Sequence, residues 1–332
     1  MKVTKLHNSK QTFKEYIEFL TIWNSNVPFV AQNTSGSTGK PKSIKIEKEK
    51  MTASANMTGN FLKLKEMNNA LLCISPKYIG GKMMVVRAIY CGLDLIIAPT
   101  SANPLKDLNE KVDFAAMVPL QVETILQQTP EKFELIDTVI IGGAPVSNHL
   151  AKLLSRKKTK FYATFGMTET VSHIALREIH TQSKLYKAIG NTTFSLSEES
   201  RLIIHAPDLQ ISRLETNDLV SLHSPRTFEW IGRADFIINS GGVKVNPEKL
   251  EELFSPYIEQ AFIVAGMPDL RLGQKVVLIA EKPIDITVLK QDTKNQIDSY
   301  SFPKEVIIST IMYTPNGKPD RLATLKNINL EG

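Results

Sequence analysis

The stretch Thr138–Thr164, TVIIGGAPVSNHLAKLLSRKKTKFYAT, contains one copy of the pattern that decides the fold. Two apolar runs, Thr138–Ile141 and Lys160–Thr164, have the composition of buried strands. Between them, Ser147–Lys157 has the apolar spacing of a helix. Buried strands that alternate with amphipathic helices are typical of a parallel sheet with helices on both faces.

The same alternation extends over residues 27–166. The sequence therefore predicts an α/β fold, in which layered, doubly wound and largely parallel sheets form a large N-terminal domain. The other strand candidates are Pro28–Gln32, Ala70–Ser75, Asp94–Ala98 and Phe114–Val118, and the other helix-like segments lie near Glu47–Leu64, Gly81–Leu93 and Leu120–Gln128.

The pattern changes after residue 200. Short β segments broken by turns occupy residues 201–245, and a helix is predicted to begin at Pro247, because proline is favoured in a first helical turn. The rest of the chain predicts a small α+β unit that could fold as its own domain. The β candidates within residues 201–245 are Leu202–His205, Leu219–Leu222 and Phe236–Ile238. The later candidates are the strands Ala261–Ala265, Val276–Ala280 and Val306–Ile311 and a helix near Ile286–Ile297.

Composition excludes several classes of protein. At 332 residues the chain is long enough for about two domains of ~150 residues each. No apolar run approaches the ~18–20 residues of a membrane span, and the polar first residues, Met1–Tyr16, resemble no leader, so the cytoplasm is predicted. The net charge of +6 comes from scattered lysines, which predicts no nucleic-acid partner. Neither the two cysteines nor the six histidines have ligand spacing, so no structural metal is predicted.

A glycine-rich segment at Thr34–Lys42, TSGSTGKPK, has the composition of a phosphate-binding loop. Glycines let the backbone approach an anion, and the hydroxyls of Ser35, Ser37 and Thr38 add donors. Because Ser43–Ile46 alternates like a strand, the loop is predicted to connect two strands. Taken alone, the segment could also be a surface turn.

A nucleoside-triphosphatase loop of the GxxxxGK[ST] type is the obvious alternative, and it fails at two positions. Thr34 stands where the first glycine belongs, and Pro41 follows Lys40 where serine or threonine is required. The strand that follows the loop also differs from the helix that this motif needs.

Five later motifs follow the loop in a fixed order. They are GGAP at 142–145, YATFGMTET at 162–170, TNDL at 216–219, GRADFIINSGGVKVNPEKLE at 232–251 and PNGKPDR at 315–321. The ordered set resembles the acyl-adenylate-forming superfamily of acyl-CoA synthetases, adenylation domains and luciferases, from about residue 30 to residue 322. The resemblance implies that a carboxylate attacks the α-phosphate of ATP, and that a thiol, usually of coenzyme A, then displaces AMP.

The resemblance also implies a role for each matched residue. Glu169 would hold Mg²⁺, a cation that typically uses one or two carboxylates beside phosphate oxygens. Thr168 would contact the α-phosphate, the Phe165 ring would stack on adenine, and Asp218 would accept hydrogen bonds from the ribose hydroxyls. The full nucleotide-binding set is Thr34, Ser35, Gly36, Ser37, Thr38, Gly39, Lys42, Gly142, Gly143, Ala144, Phe165, Gly166, Met167, Asp218 and Arg233.

Two domains, 1–233 and 234–332, are implied, with a hinge near Asp235. In the second domain, Lys318 matches the lysine that reaches the reacting carboxylate and α-phosphate. Gly241 and Gly242 match the glycines that line the path of the pantetheine arm. Because these groups serve different half-reactions, the resemblance implies that a small mobile domain rotates between them.

Two further stretches narrow the resemblance. SPKYIGGKMMVVRAIYCGLDL at 75–95 and MTETVSHIALREI at 167–179 resemble 2-succinylbenzoate–CoA ligases of menaquinone biosynthesis. The implied acid is an aromatic dicarboxylic acid, whose second carboxylate suits a polar pocket and a basic chain. The pocket candidates are Tyr78, Gly80, Lys82, Ser172 and His173, with a core histidine on a helix face as the alternative for His173.

The sequence departs from the family in three places. Only 33 residues precede the glycine-rich loop, so much of the usual N-terminal subdomain is expected to be missing. Ile79 stands where a gating histidine is common, and Ser43 replaces the glycine that commonly ends the loop. A homodimer is compatible with the resemblance. The alternatives are a ligase for another aryl or acyl acid, a ligase that loads a carrier protein, and a nucleotide-binding relative without catalysis.

Overall fold

The computed structural model describes residues 1–34, 42–181, 183–313 and 319–331. Its largest sheet has twelve strands in the order β1-β5-β4-β6-β7-β8-β9-β10-β14-β13-β12-β11. The first six in this order are parallel: β1 (Val3–Lys5), β5 (Asp94–Ile97), β4 (Asn69–Leu72), β6 (Val112–Met117), β7 (Ile136–Ile141) and β8 (Lys160–Gly166). The predicted parallel sheet is confirmed for these strands.

From β9 (His173–Glu178) onward every neighbour in the large sheet pairs antiparallel. The parallel sheet was predicted for residues 27–166, and the later strands are antiparallel because hairpins rather than crossover helices connect them. These strands are β10 (Leu185–Ala188), β11 (Thr193–Leu196), β12 (Arg201–Ala206), β13 (Ile211–Ser224) and β14 (Thr227–Arg233).

Helices cover the parallel part of the sheet on both faces. They are α1 (Lys10–Trp23), α2 (Lys48–Leu62), α3 (Ile79–Cys91), α4 (Pro119–Gln128) and α5 (Asn148–Leu154). Alternate residues of one strand enter different cores: Ala70 and Leu72 of β4 pack in one hydrophobic cluster, and Leu71 packs in the other. This double burial explains why the parallel strands are continuous apolar runs in the sequence.

The glycine-rich segment joins β2 (Phe29–Thr34) to β3 (Lys42–Glu47), and these strands pair antiparallel as a separate two-stranded sheet. The predicted strand-to-strand connection is thus confirmed. The first residues, in contrast, carry structure that the sequence reading did not predict. β1 extends the edge of the large sheet, and α1 buries Tyr16 and Phe19 in the core.

The C-terminal part contains a five-stranded sheet, in which β15 (Ile238–Ser240) pairs with β16 (Val243–Val245) and β18 (Gly273–Ala280). Strand β18 also pairs with β17 (Phe262–Asp269) and β19 (Glu305–Ile308). Its helices are α6 (Pro247–Phe254), α7 (Ile286–Asp292) and α8 (Arg321–Glu331). Two hydrophobic clusters built from residues after position 236 form its core.

The predicted strand at Phe236–Ile238 is wrong. Ala234–Phe236 forms a 3₁₀ turn, closed by the Ile237 N–H on the Ala234 carbonyl at 3.3 Å, and the strand starts at Ile238. The Phe236 ring faces two arginine side chains instead of the core. Within the residues that the structure describes, no helix is long and apolar enough to cross a membrane.

The start of α3 offers a test of the packing at the carboxyl end of β4. A Cβ on Gly81 would lie 2.5 Å from the Ile74 carbonyl oxygen, whereas a Cβ on Gly80 would meet only the Ile74 side chain at 3.6 Å. Gly81→Ala is expected to lower the free energy of unfolding by about 1–3 kcal/mol, because backbone atoms cannot move aside easily. Gly80→Ala is the matched control and is expected to be neutral or slightly stabilising, since alanine is favoured over glycine in helices. Chemical denaturation measures both, and equal stability of the two variants would contradict the predicted clash.

Candidate functional site

Two loops that the sequence singled out lie side by side. Gly142–Ala144 follows β7, and Met167–Thr170 follows β8, so both lie at the carboxyl ends of adjacent parallel strands. Ligands of open α/β sheets bind at this edge. The Gly142 N–H donates to the Met117 carbonyl at 3.0 Å, and a Cβ on Gly142 would lie 2.6 Å from the Thr164 hydroxyl. Gly143 has a φ of +87°, so this loop requires glycine and leaves its backbone uncovered.

The turn after β8 exposes a carboxylate. The Thr170 hydroxyl holds this turn together: its Oγ accepts the Met167 N–H at 3.0 Å and donates to the Ser172 carbonyl at 2.8 Å. Val171 has a φ of +65°, which is an outlier for a β-branched residue and typical of strained functional loops. Glu169 is exposed on this turn, next to half-buried Thr168. The strained backbone thus holds an unburied carboxylate at the edge of the sheet.

The described residues offer few ligands for a metal ion. Among the described residues no group of three or more His, Cys, Asp and Glu side chains could hold a metal ion. Glu169 fits a cation of the Mg²⁺ type, which takes one or two protein carboxylates and completes its shell with phosphate oxygens and water.

Phe165 and Gly166 end β8 before this turn. The half-buried Phe165 ring packs edge-on against Phe228 and Tyr186, with centroids 5.0 and 5.9 Å away. A Cβ on Gly166 would lie 2.5 Å from the His173 Cα, so the backbone of the turn passes close to β9. These contacts fix the orientation of the Phe165 ring, which the resemblance assigned to stacking on adenine.

Asp218 and Arg233 are brought together by strand register. They are direct partners in the β13–β14 ladder although fifteen positions separate them in the chain. The Trp230 indole N–H donates to Asp218 Oδ1 at 2.8 Å. Burial raises the pKa of the Asp218 carboxyl, while the Trp230 hydrogen bond and the Arg233 charge oppose the shift. The pair forms a buried acceptor beside a cation.

Arg233 also contacts the residue predicted as the hinge. Its Nη2 donates to Asp235 Oδ2 at 2.6 Å. Its Nε is buried, and it has no hydrogen-bond partner among the residues that the structure describes. A donor of this kind, next to the Asp218 carboxylate, is suited to a polar ligand.

Helix α6 contacts both the strand that carries Arg233 and the start of α5, the helix that follows the Gly142 loop. Asn246 caps its start and donates from Nδ2 to the Ile231 carbonyl at 3.1 Å. Glu248 interacts with Arg233, and Glu252 contacts Asn148 at the start of α5 and Lys184 at 3.9 Å. Glu248 and Glu252 are one helical turn apart, about 5.4 Å along the axis. Helix α6 is therefore in contact with α5, which follows the Gly142 loop, and also with Arg233.

A second polar group lies deep between α2, α3 and β9. Arg87 is 1% exposed, and its Nη2 donates to the Ser172 hydroxyl at 2.9 Å. Its Nε has no hydrogen-bond partner, and no carboxylate pairs with it, within the described part of the chain. Burial lowers the pKa of Arg87 to about 10, which leaves the group charged at neutral pH. A buried cation without a counter-ion is costly unless an anion binds there.

His173 completes this group. Its Nε2 lies 3.1 Å from the Thr58 hydroxyl, which itself donates to the Ser54 carbonyl, so Nε2 carries the ring proton. Its Nδ1 lies 3.4 Å from the Ser172 hydroxyl. Burial and the Arg87 charge hold the pKa of His173 well below its usual value, so the ring is neutral. The only net charge in the group is that of Arg87.

Ser172 and His173 were predicted from the sequence, and Arg87 was not. The available signal was one arginine inside the otherwise apolar run Met83–Cys91, a place where an unpaired charge needs an explanation.

The other predicted pocket residues occupy the start of α3. Lys82 Nζ is buried and donates to the Ala31 carbonyl at 3.0 Å and to Gln32 Oε1 at 2.8 Å. Lys82 therefore ties α3 to the strand that leads into the glycine-rich segment. Tyr78 is 41% exposed, and Gly80 packs near Ile74.

Several predicted residues are not described by the structure. Ser35, Gly36, Ser37, Thr38, Gly39 and Lys318 lie outside the described residues, as do the side chains of Thr34 and Lys42. Gly241 and Gly242 form the β15–β16 turn, with φ values of +59° and +84°. The structure places no atom within 4 Å of a Cβ built on Gly242, so the backbone there is open.

Comparison with known proteins gives consistent matches. Residues 7–199 match the family model described as AMP-binding enzyme. A 2-succinylbenzoate–CoA ligase of Listeria monocytogenes is 24% identical over 334 residues, which cover 92% of this chain and 71% of that protein. An acyl-CoA synthetase (AMP-forming)/AMP-acid ligase II-like protein from Dyadobacter fermentans has a solved structure with 34% identity and a TM-score of 0.64, covering 96% of this chain and 95% of that chain. The O-succinylbenzoate coenzyme A synthetase of Bacillus subtilis, solved with ATP and magnesium ion, has a TM-score of 0.78 at 19% identity, covering 89% of this chain and 69% of that chain.

Proposed function

Because the chain belongs to the AMP-binding enzyme family, we propose that it is an AMP-forming acid–thiol ligase. Its reaction converts 2-succinylbenzoate, ATP and coenzyme A to 2-succinylbenzoyl-CoA, AMP and diphosphate. Arg87 is the observation that supports the choice of acid, because a buried guanidinium without a counter-ion among the described residues is stabilised by a bound anion. The names of the related ligases support the same substrate. ATP and coenzyme A are cytoplasmic metabolites, so the proposal places the enzyme in the cytoplasm.

In the first half-reaction an oxygen of the aliphatic carboxylate attacks the α-phosphorus of ATP. The bond from that phosphorus to the β-phosphate oxygen breaks, and diphosphate leaves with the electron pair. An anion approaches a polyanion here, so positive charge must be held near the reacting atoms. Lys318 and the hydroxyl of Thr168 are assigned to the α-phosphate, and Arg233 to the ribose or phosphates. Bound Mg²⁺, held by Glu169, would supply further charge neutralisation.

The nucleoside is assigned to the residues around the Gly142 loop and the β13–β14 pair. The flat backbone of Gly142–Ala144 and the Phe165 ring suit a purine. The Asp218 carboxylate suits the two ribose hydroxyls, because both are donors to a single acceptor group. Burial of Asp218 strengthens these hydrogen bonds, since the local dielectric constant is low.

In the second half-reaction the sulfur of coenzyme A attacks the acyl carbon. The bond from that carbon to the AMP phosphate oxygen breaks, AMP leaves, and the thiol proton goes to solvent. Gly242 leaves an open backbone for the pantetheine arm, whereas Gly241 lies against the Tyr300 ring, which a Cβ there would meet at 2.8 Å. Because Lys318 and these glycines belong to the same part of the chain, residues 234–332 are proposed to rotate about Asp235 between the half-reactions.

The acid is assigned to the group between α2, α3 and β9. Arg87 would pair with the aromatic carboxylate of 2-succinylbenzoate, and the neutral ring of His173 adds no second charge. Ser172 holds the guanidinium at 2.9 Å and so fixes its direction. Tyr78 and Gly80 stand at the start of α3, and Lys82 anchors that helix to β2.

Asp218→Asn tests the ribose assignment. The amide keeps the shape but presents one donor where the ribose hydroxyls need acceptors, so KM for ATP is expected to rise about 10-fold, the cost of a lost charged hydrogen bond. Steady-state kinetics at saturating acid and coenzyme A measure this change. Asp137→Asn, at an exposed position near the start of β7 and so at the opposite end of that strand from the Gly142 loop, is the control. An unchanged KM for ATP in Asp218→Asn would contradict the assignment.

The proposed function is tested by ATP–pyrophosphate exchange and thioester formation across a panel of aromatic mono- and dicarboxylic acids. Exchange that depends on 2-succinylbenzoate supports the proposal. Exchange with a different acid alone would identify another aryl or acyl ligase. ATP binding without exchange for any acid would favour a nucleotide-binding protein without catalysis.

A further inference from the structure

Arg321, the last residue of the PNGKPDR motif, contacts Phe236, next to the proposed hinge residue, and Glu248 of α6. We propose that Arg321 is a positioning residue of the ligase reaction, which acts through the Phe236 ring and Glu248 to hold Arg233 in its nucleotide-facing position. The inference rests on the proposed function only in assigning Arg233 to ATP.

Two hydrogen bonds fix Arg321, and a third joins their two acceptor residues into a closed unit. Its Nε donates to the Val264 carbonyl at 2.8 Å, and its Nη2 donates to Glu251 Oε1 at 2.6 Å. The same Glu251 oxygen accepts the Val264 N–H at 2.7 Å. The guanidinium side chain is only 11% exposed, so this geometry is held away from water. The first residue of α8 is thereby locked to α6 and β17.

The Phe236 ring lies between two guanidinium groups. The Arg321 Cζ is 4.6 Å from the ring centroid, and the Arg233 Cζ is 6.0 Å from it. Guanidinium groups within about 6 Å of an aromatic centroid are attracted by the ring. Because Phe236 lies one residue after Asp235, the ring transmits the position of Arg321 to the hinge and to Arg233.

Glu248 provides a second connection. Its Oε1 lies 3.9 Å from Arg321 Nη1, and its charge also acts on Arg233. Its Oε2 is buried without a hydrogen-bond partner among the described residues. Burial raises the pKa of Glu248 to about 7, with the nearby Glu251 adding to the shift and Arg321 opposing it. Loss of the Arg321 charge would therefore favour protonation of Glu248 and remove its pull on Arg233.

A merely structural role for Arg321 makes a different prediction. If the unit only stabilised the C-terminal core, its loss would lower the melting temperature and the active fraction, and every KM would stay constant. A positioning role changes ATP binding selectively, because within the described part of the chain Arg233 is the residue assigned to ATP that the unit contacts.

The experiment compares wild type with Arg321→Met, Arg321→Lys and Phe236→Leu. Arg213→Lys, which alters an exposed arginine paired with Glu215 at 2.9 Å, is the matched control. Calorimetric titration with ATP measures affinity without turnover, and kinetics give KM for ATP and for coenzyme A. Melting temperatures show that each variant is folded.

Arg321→Met and Phe236→Leu are expected to weaken ATP binding about 10-fold and to leave KM for coenzyme A within about twofold. Arg321→Lys is expected to fall between them and wild type, because lysine keeps the charge but loses the planar fork. Unchanged ATP affinity in folded Phe236→Leu and Arg321→Lys would overturn the inference, as would equal increases of both KM values. If wild type binds ATP but activates no acid, the proposed function fails, and the ATP titrations still decide the role of Arg321.

Discussion

Lys318→Ala is expected to lower ATP–pyrophosphate exchange by about 10³-fold or more, and to leave thioester formation from preformed acyl-adenylate within a few-fold of wild type. The ammonium would neutralise negative charge that develops between the carboxylate and the α-phosphate only as the new bond forms. Its loss therefore removes stabilisation of the transition state and should reduce kcat more than it raises KM. In the second half-reaction a thiol displaces AMP from a neutral acyl carbon, and that step has no use for a cation at the α-phosphate.

The two half-reactions can be measured separately on the same preparation. Exchange of labelled pyrophosphate into ATP reports the first, and mixing of synthetic acyl-adenylate with coenzyme A reports the second. Lys326→Ala, at an exposed position of α8, removes a neighbouring lysine and is expected to affect neither. An equal loss of both half-reactions in Lys318→Ala would show that the residue supports the fold or both steps, and would contradict the assigned role.

The parallel half of the fold could be predicted because burial on both faces leaves a strong local signal. Leu71 and Leu72 point into different cores, so β4 is apolar on both faces after its first residue, Asn69. β13 gives no such signal: it runs for fourteen residues through polar positions, and only Leu219–Leu222 was predicted as strand. Helix α1 carried a readable spacing at Phe13, Tyr16, Leu20 and Trp23, three or four residues apart, which the polar residues between them obscured.

In the candidate site, too, some residues could be predicted from the sequence and others depend on how distant elements pack. Motifs identified Asp218 and Arg233, and the hairpin register then made them neighbours, which a local pattern cannot specify. Arg87 and Ser172 are 85 positions apart, and their hydrogen bond follows from the packing of α3 against the β8–β9 turn. Arg321 was seen only as part of a motif. Its contacts with Glu251 and Phe236 depend on how three elements of the C-terminal part pack together.

Arg87→Met is expected to lower kcat/KM for 2-succinylbenzoate by about 100-fold or more, since removing one partner of a buried charge pair costs several kcal/mol. The same variant should leave benzoylpropionate, which lacks the aromatic carboxylate, within a few-fold of its wild-type value. The difference between the two acids is the informative quantity, because a general disturbance of α3 would affect both equally. Arg87→Lys keeps a charge without the fork geometry and should retain part of the preference for the dicarboxylate.

Stability is expected to change in the opposite direction from activity. In the protein without substrate, Arg87 is a buried cation with one hydrogen bond to Ser172 and no counter-ion among the described residues, so methionine removes a desolvation cost and keeps most of the volume. The free energy of unfolding of Arg87→Met should therefore be equal to that of wild type or higher by about 1–2 kcal/mol. Ser172 retains the His173 ring as a partner at 3.4 Å, so no new unpaired hydroxyl is created. A variant that is less active on 2-succinylbenzoate yet at least as stable has lost a group kept for binding. A strongly destabilised variant with equal losses on both acids would instead make Arg87 a structural residue of the core.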